Sequence, residues 1–141
     1  MENNKVYVEL IERAIKARTY SYSPYSHFMV GAALLTKSGK IYTGCNIESV
    51  SYTPTTCAER VAILKAVSEG ERAFDAIAIV GGPVEGVRNT KTPIGPCGVC
   101  RQFIYEFGTD IEVIMANGVD DYQVKTISEL FPFGFGPENL L

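Results

Sequence analysis

Hydrophobic and polar positions alternate along this chain in patterns that change from helical to extended and back. The first pattern predicts an amphipathic helix over residues 5–18, with one apolar face formed by Val6, Leu10, Ile11, Ala14 and Ala17. Two runs rich in apolar residues, 28–36 and 40–45, then predict strands. Lys37-Ser38-Gly39 between them is a hairpin signal, so the two strands should pair.

The remainder of the chain predicts further helices and strands in alternation. Thr56 is the predicted N-cap of a second helix, and Pro96 suits the first turn of a third. The predicted helices are 57–69, 96–107 and a last turn at 127–131, and the predicted strands are 75–80, 111–116 and 122–125. Asn117-Gly118 is the predicted turn before the last strand, and 81–95 is a Gly/Pro-rich loop. This order predicts an α/β fold, one sheet with helices on its faces, and a single domain over residues 1–141.

Composition narrows the classes of function. The chain has 141 residues, 46% of them hydrophobic, and a net charge of -3, which argues against a general nucleic-acid binder or a polybasic membrane surface. Residues 1–5 lack the layout of a signal peptide, and the apolar run 28–35 is too short to span a bilayer. We therefore expect a soluble, cytoplasmic protein. In that reducing compartment the four cysteines point to metal binding or catalysis rather than to disulfides.

Two short motifs carry the candidate chemistry: Thr56-Cys57-Ala58-Glu59-Arg60, and Pro96-Cys97-Gly98-Val99-Cys100. Each opens a predicted helix, and cysteines three apart project from one face of a helical turn. Three thiolates could meet at one zinc ion and leave its fourth position open for water, which is the arrangement of a catalytic site. Glu59, outside this ligand set, could carry protons to and from that water.

Charge explains why the thiols stand at helix starts. Three thiolates around one zinc ion leave an excess negative charge, which makes deprotonation of a bound water harder. Each helix N-terminus contributes roughly half a positive charge, and Arg60 adds a full one beside Cys57. We expect Arg60 to donate hydrogen bonds to thiolate sulfur and so to restore the acidity of the metal.

Simpler interpretations of these residues remain open from the sequence. Cys97-x-x-Cys100 could be a redox pair or half of a structural zinc knuckle, with Cys45 completing a closed site. Glu59 could be an ordinary first-turn acid. We favour the catalytic interpretation because a closed site gives Glu59 no role, and we expect Cys45 to be a small buried residue at a strand end. His27, the single histidine, is expected to pack in a loop.

Taken together, C-A-E…P-C-x-x-C, the F-x-V-G-A-A strand that begins at Phe28, and Gly44-Cys45-Asn46-Ile47-Glu48 resemble the small, homotetrameric, nucleoside-acting branch of the cytidine deaminases. The resemblance covers nearly the whole chain. It implies a three-layer fold with a five-stranded mixed sheet and one zinc ion per subunit. It also implies hydrolytic deamination of cytidine and 2'-deoxycytidine to the corresponding uridines, with release of ammonia, as in pyrimidine salvage.

The same resemblance implies roles for individual residues. Glu59 would move protons between the activated water, ring N3 and the departing amine, with Cys57, Cys97 and Cys100 as metal ligands. The implied substrate contacts are Phe28 stacking on the base, Asn46 and Glu48 on the ribose 3'-hydroxyl, the Ala58 N–H on O2, Tyr52 at the sugar, and Phe135 from a neighbouring subunit. Taken singly, Phe28 could be plain core, Asn46 a turn residue and Glu48 a solvated acid.

Three rival functions follow from the same motifs. A related enzyme could act on another cytosine-bearing molecule, such as a nucleoside antibiotic, a free base or a nucleotide. A zinc-stabilised interaction domain would bind the metal without turnover. Nucleic-acid editing is disfavoured by the acidic net charge. The stretch 81–92 carries no signature that assigns it a role.

Overall fold

The computed structural model describes residues 2–83 and 93–141 and shows helices packed on a single sheet. The helices are α1 (Glu2–Arg18), α2 (Ala58–Ser68), α3 (Gly98–Tyr105) and α4 (Ile127–Leu130), followed by a 3-10 turn at Pro137–Asn139. The strands are β1 (Phe28–Thr36), β2 (Ile41–Cys45), β3 (Phe74–Pro83), β4 (Glu112–Gly118) and β5 (Asp121–Thr126). In the part of the chain described, no helix has both the length and the apolar character needed to cross a bilayer.

The sheet is five-stranded and mixed, in the order β2-β1-β3-β4-β5. β3 and β4 are parallel, whereas every other neighbouring pair is antiparallel. The α/β fold with a five-stranded mixed sheet is therefore confirmed.

Alternate residues of the central strands face two separate hydrophobic clusters, one on each side of the sheet. On β3, Ala76, Ala78 and Val80 pack against Leu10, Ile11 and Ala14 of α1. Ile77 and Ile79 point to the opposite side, where α2 and α3 contribute Ala62, Ile63 and Ile104. Side chains of successive strand residues point to opposite faces, so one apolar strand serves both helical layers. The result is the predicted three-layer arrangement.

The topology gathers the candidate site residues at one edge of the sheet. α2 leads into β3 and α3 leads into β4, so the N-termini of both helices lie over the carboxyl ends of these two parallel strands. Because β1 is antiparallel to β3, its first residue, Phe28, pairs with Pro83 at that same edge. Cys45, the last residue of β2, pairs with Gly31 nearby, and the 46–56 loop starts there.

Both helix starts lie later than the sequence predicts. The N-cap of α2 is Cys57, not Thr56, and the N-cap of α3 is Cys97, so Pro96 precedes the helix instead of forming its first turn. The backbone of Thr56 is paired with Ile47, which holds the chain extended up to the cysteine. Each helix thus begins directly at a thiol.

Two further predictions need correction. Asn117-Gly118 belongs to β4, and the turn lies at residues 119–120, because Gly118 pairs with Asp121. β3 continues to Pro83, into the predicted 81–95 loop, because β1 supplies hydrogen-bonding partners as far as Phe28. The rest of the predicted loop up to residue 92 lies outside the described residues.

Candidate functional site

The three cysteine side chains of the two motifs meet in one cluster. The sulfur atoms of Cys57, Cys97 and Cys100 all lie within 4.8 Å of one another, with 3.9 Å between those of Cys57 and Cys97. Two sulfurs bound to one tetrahedral zinc at about 2.3 Å each would stand about 3.8 Å apart. The donor set and its spacing therefore fit a zinc ion.

Cys45 does not take part in this cluster. Among the residues described, the only group of three or more potential metal ligands is formed by Cys57, Cys97 and Cys100. Cys45 is half-buried at the end of β2 and faces another cavity, between α1, β2 and α2. Neither Cys45 nor His27 closes the site, so the ligand set leaves a coordination position for water.

Arg60 supplies the positive charge expected beside the thiols. Its Nη2 donates to the Cys57 sulfur at 3.6 Å, from one turn into α2. Hydrogen bonding from the Cys100 thiol, and then from Arg60, lowers the pKa of Cys57 to about 5. The pKa of Cys100 is raised, because Cys100 gives its hydrogen bond to Cys57 and is buried. Both neighbours therefore favour the thiolate form of Cys57.

Glu59 is the buried acid of the site. Its side chain is 4% exposed, and burial, with the nearby Cys57 charge, raises the pKa of its carboxyl to about 7. A carboxyl group that titrates near neutral pH can both accept and return a proton. An ordinary solvated first-turn acid would not be enclosed in this way, which favours the catalytic interpretation.

One cavity of about 320 Å³ joins the thiols to the predicted substrate contacts. Its lining includes Phe28, Asn46, Glu48, Ala58 and Glu59, together with Cys57 and Cys97. This volume lies within the range of small-molecule sites. A larger cavity of about 740 Å³ carries no thiol of the cluster, so chemistry and not size identifies the site.

The Asn46 side chain is held by hydrogen bonds at the start of β1. Its Oδ1 accepts from the Val30 N–H at 2.8 Å and from the Ser21 hydroxyl at 2.5 Å, and its Nδ2 donates to the Phe28 carbonyl at 2.8 Å. The two backbone groups are an unambiguous donor and acceptor, so they determine which end of the amide is which. The Asn46 side chain thus bonds to backbone groups of β1 and also lines the cavity.

Glu48 is held by a turn that lies far from it in sequence. Its Oε1 accepts from the backbone N–H groups of Tyr25 and Ser26, at 3.0 and 3.1 Å. The Ser26 hydroxyl donates to its Oε2, and this bond is the main reason that the pKa of Glu48 is lowered. A partly buried, ionised carboxylate thus lines the cavity beside Asn46.

Two predicted contacts lie outside this cavity. Tyr52 is 73% exposed and lines a neighbouring cavity with Tyr25, whose ring it meets edge-on at 6.5 Å between centroids. Phe135 is 57% exposed and is held through its carbonyl oxygen, which accepts from Gln102 at 2.8 Å. Within a single chain, neither ring covers the thiol cluster.

The structure adds residues to the site that sequence reasoning missed. Ser26, Val30, Thr55, Thr56, Ile94 and Gly95 also line the cavity. Ser26 lies in a Tyr/Ser/Pro segment, and Ile94 in a Gly/Pro-rich one, and neither segment has a periodicity that points to a site. The C-x-x-C helix start close after Ile94 was the only nearby signal.

Comparisons with known proteins agree with this geometry. Residues 4–116 match the model of the cytidine and deoxycytidylate deaminase zinc-binding region. A cytidine deaminase from Sporosarcina psychrophila is 46% identical over 133 residues, covering 94% of this chain and 93% of the relative. The crystal structure of a cytidine deaminase from Burkholderia pseudomallei superposes with a TM-score of 0.81 at 45% identity, covering 90% of this chain and 97% of that one. A blasticidin-S deaminase from Bacillus cereus is 37% identical over 130 residues, 91% of each chain.

Proposed function

This chain belongs to the zinc-binding cytidine and deoxycytidylate deaminase family, and we propose that it deaminates cytidine and 2'-deoxycytidine to uridine and 2'-deoxyuridine with release of ammonia. The single observation that carries the proposal is the convergence of three thiols, within 4.8 Å of one another, beside the buried Glu59. The expected setting is pyrimidine salvage in the cytoplasm, by residues 1–141 acting as one domain.

Cys57, Cys97 and Cys100 are the residues that would hold one zinc ion per subunit. When bound, zinc supplies a Lewis acid that makes a water molecule acidic enough to yield a nucleophile near neutral pH. Arg60 and the N-termini of α2 and α3 offset the negative charge of the thiolates. The chain therefore provides both the ligands and the compensating charge.

Glu59 carries the protons in this proposal. Its carboxylate accepts a proton from the attacking water and donates it to ring N3 of the cytosine. It then accepts the second proton, from the hydroxyl group now bonded to C4, and donates it to the amine, which leaves as ammonia. The raised pKa, about 7, supports these transfers because neither protonation state is strongly favoured at neutral pH. Its enclosure keeps bulk water from competing for the proton.

The walls of the cavity suit a nucleoside. Phe28 offers an aromatic face for the pyrimidine, and Ala58 stands at the first position of α2, where helical N–H groups lack intrahelical partners and can donate to O2. Asn46 and Glu48 can bind the 3'-hydroxyl of ribose. A phosphate at that position would meet the Glu48 carboxylate, which disfavours nucleotides.

A substrate panel tests the proposal and separates its rivals. Ammonia release would be measured with cytidine, 2'-deoxycytidine, cytosine, cytidine monophosphate and blasticidin S, with zinc content determined on the same sample. We expect the two nucleosides to be turned over and the monophosphate to be rejected. Turnover of blasticidin S alone would assign the chain to the antibiotic-acting relatives, and zinc without any turnover would assign it to a binding domain.

A matched pair of variants tests the role of Glu59. Glu59→Gln should retain zinc and lose turnover by several orders of magnitude, because the amide cannot transfer protons. Glu12→Gln is the control, since it makes the same substitution on the exposed side of α1, in the opposite layer. Near-normal turnover of Glu59→Gln with zinc bound would remove Glu59 from the mechanism.

We also propose a homotetramer with shared active sites. The support is an aromatic tail that its own chain leaves uncovered: Phe133 is fully exposed and Phe135 is 57% exposed. In the tetramer, Phe135 would cover the base in a neighbouring subunit, with Tyr52 lining the sugar pocket. Activity should therefore fall on dilution in parallel with dissociation. Full activity in a demonstrated monomer would contradict shared sites.

A further inference from the structure

The hydrogen-bonding capacity that remains on Asn46 is limited to one donor. Its Oδ1 already accepts from Val30 and Ser21, and one of its two Nδ2 protons is donated to Phe28. An amide has two acceptor sites on oxygen and two protons on nitrogen. One N–H is therefore left for a molecule in the cavity, and Asn46 can donate to that molecule but not accept from it.

The hydrogen-bonding capacity that remains on Glu48 is one acceptor position, which complements the donor on Asn46. Its Oε1 accepts from two backbone N–H groups, of Tyr25 and Ser26, and its Oε2 accepts from the Ser26 hydroxyl. An ionised carboxylate offers about four acceptor positions, so one position on Oε2 remains. One donor on Asn46 and one acceptor on Glu48 match a single hydroxyl group, which must donate to Glu48 and accept from Asn46.

The Ser26 hydroxyl creates this match. It donates to Glu48 Oε2 and accepts from the Phe28 N–H at 3.1 Å. One oxygen atom therefore links the carboxylate to Phe28, whose ring lines the cavity. We propose that Ser26 is a positioning residue, which holds the Glu48 carboxylate against the start of β1 so that it presents one acceptor to the substrate 3'-hydroxyl. This inference rests on the proposed nucleoside deaminase function, and it assigns a role to a residue that itself need not touch the reacting atoms.

The backbone around Ser26 supports this role. His27 adopts a left-handed conformation with φ of 56°, and its N–H donates to the Ser23 carbonyl at 3.0 Å. A residue other than glycine adopts such a conformation at a cost, so the surrounding contacts must hold it. This turn places the Phe28 N–H within hydrogen-bond distance of the Ser26 hydroxyl. If the hydroxyl were removed, the Phe28 N–H and Glu48 Oε2 would both lose this hydrogen-bond partner.

A cycle of variants and substrates tests the proposal. kcat and KM would be measured for the zinc-loaded wild type and Ser26→Ala with cytidine and with 3'-deoxycytidine, which lacks the hydroxyl. We expect Ser26→Ala to lower kcat/KM for cytidine about tenfold, mainly through KM, because the substrate 3'-hydroxyl loses its hydrogen bond to the charged Glu48 carboxylate. For 3'-deoxycytidine the two proteins should agree within about twofold. If its turnover is too slow to measure, its inhibition constant against cytidine provides the same comparison.

Control variants separate positioning from a general structural effect. Ser26→Thr keeps the hydroxyl and should stay within about threefold of wild type on cytidine. Ser51→Ala makes the same substitution at an exposed position of the 46–56 loop, where the hydroxyl pairs with Ser49 at 3.1 Å, and should leave kcat/KM for both substrates unchanged. Equal losses on both substrates, or none on cytidine, would overturn the role of Ser26. A wild type that releases no ammonia from cytidine would instead overturn the deaminase proposal, so the two failures are distinguishable.

Discussion

At Gly44, strand β2 lies against the backbone of the helix that carries Cys57 and Glu59. A Cβ atom added there would lie 2.5 Å from the Ala58 carbonyl oxygen and 2.6 Å from the Ala62 nitrogen. Both are backbone atoms of α2, so no side-chain rotation can relieve the overlap. To reach an ordinary contact of about 3.4 Å, α2 would have to withdraw from β2 by about 1 Å.

Such a shift is large compared with the tolerance of the site. Overpacking of this kind costs about 1–3 kcal/mol of stability. Functional groups must be held within about 0.5 Å of their working geometry, and Cys57 and Glu59 move with α2 while Cys97 and Cys100 stay on α3. Gly44→Ala should therefore lower Tm by roughly 3–10 °C, weaken zinc binding about tenfold or more, and reduce kcat at saturating zinc.

The assay compares Gly44→Ala with Gly118→Ala. A Cβ at Gly118, at the end of β4, would meet no atom within 4 Å. Thermal unfolding, zinc affinity by competition with a chelator, and kcat for cytidine would be measured on both variants. If Gly44→Ala matched Gly118→Ala in all three measurements, the close contact of β2 with α2 would not position the metal site.

Three further predictions concern single residues. Arg60→Gln should retain zinc but lose at least tenfold in turnover, because the donor to Cys57 at 3.6 Å is weakened and its charge removed; unchanged turnover at full zinc occupancy would contradict this. The pKa of Glu48 is lowered from 4.5, so its stabilising effect is present above that pH and is lost as pH falls through the folded pKa. The difference in unfolding free energy between wild type and Glu48→Gln, measured in urea, should therefore shrink below about pH 4.5, and a constant difference would refute the assignment. His27→Asn tolerates the positive φ and should keep full zinc content and turnover within about threefold; loss of zinc would make His27 a ligand.

The sequence by itself determined the chemistry of the candidate site and the approximate positions of the elements. Cys97 and Cys100 are three residues apart, and Cys57 is two residues before Glu59, so local spacing alone places each group on one helical turn. The apolar run of β1 and the apolar face of α1 were likewise local patterns. Predictions of this kind succeed because the interacting groups are separated by only a few bonds along the chain.

Only the tertiary structure decided how these pieces meet. The start of α2 depends on the pairing of Thr56 with Ile47, and the end of β3 depends on its register with β1. The contact between Ser26 and Glu48 joins residues 22 positions apart in sequence. Nothing in either segment specifies the other, because such contacts are selected by sheet register and by the packing of both helical layers, which are properties of the whole chain.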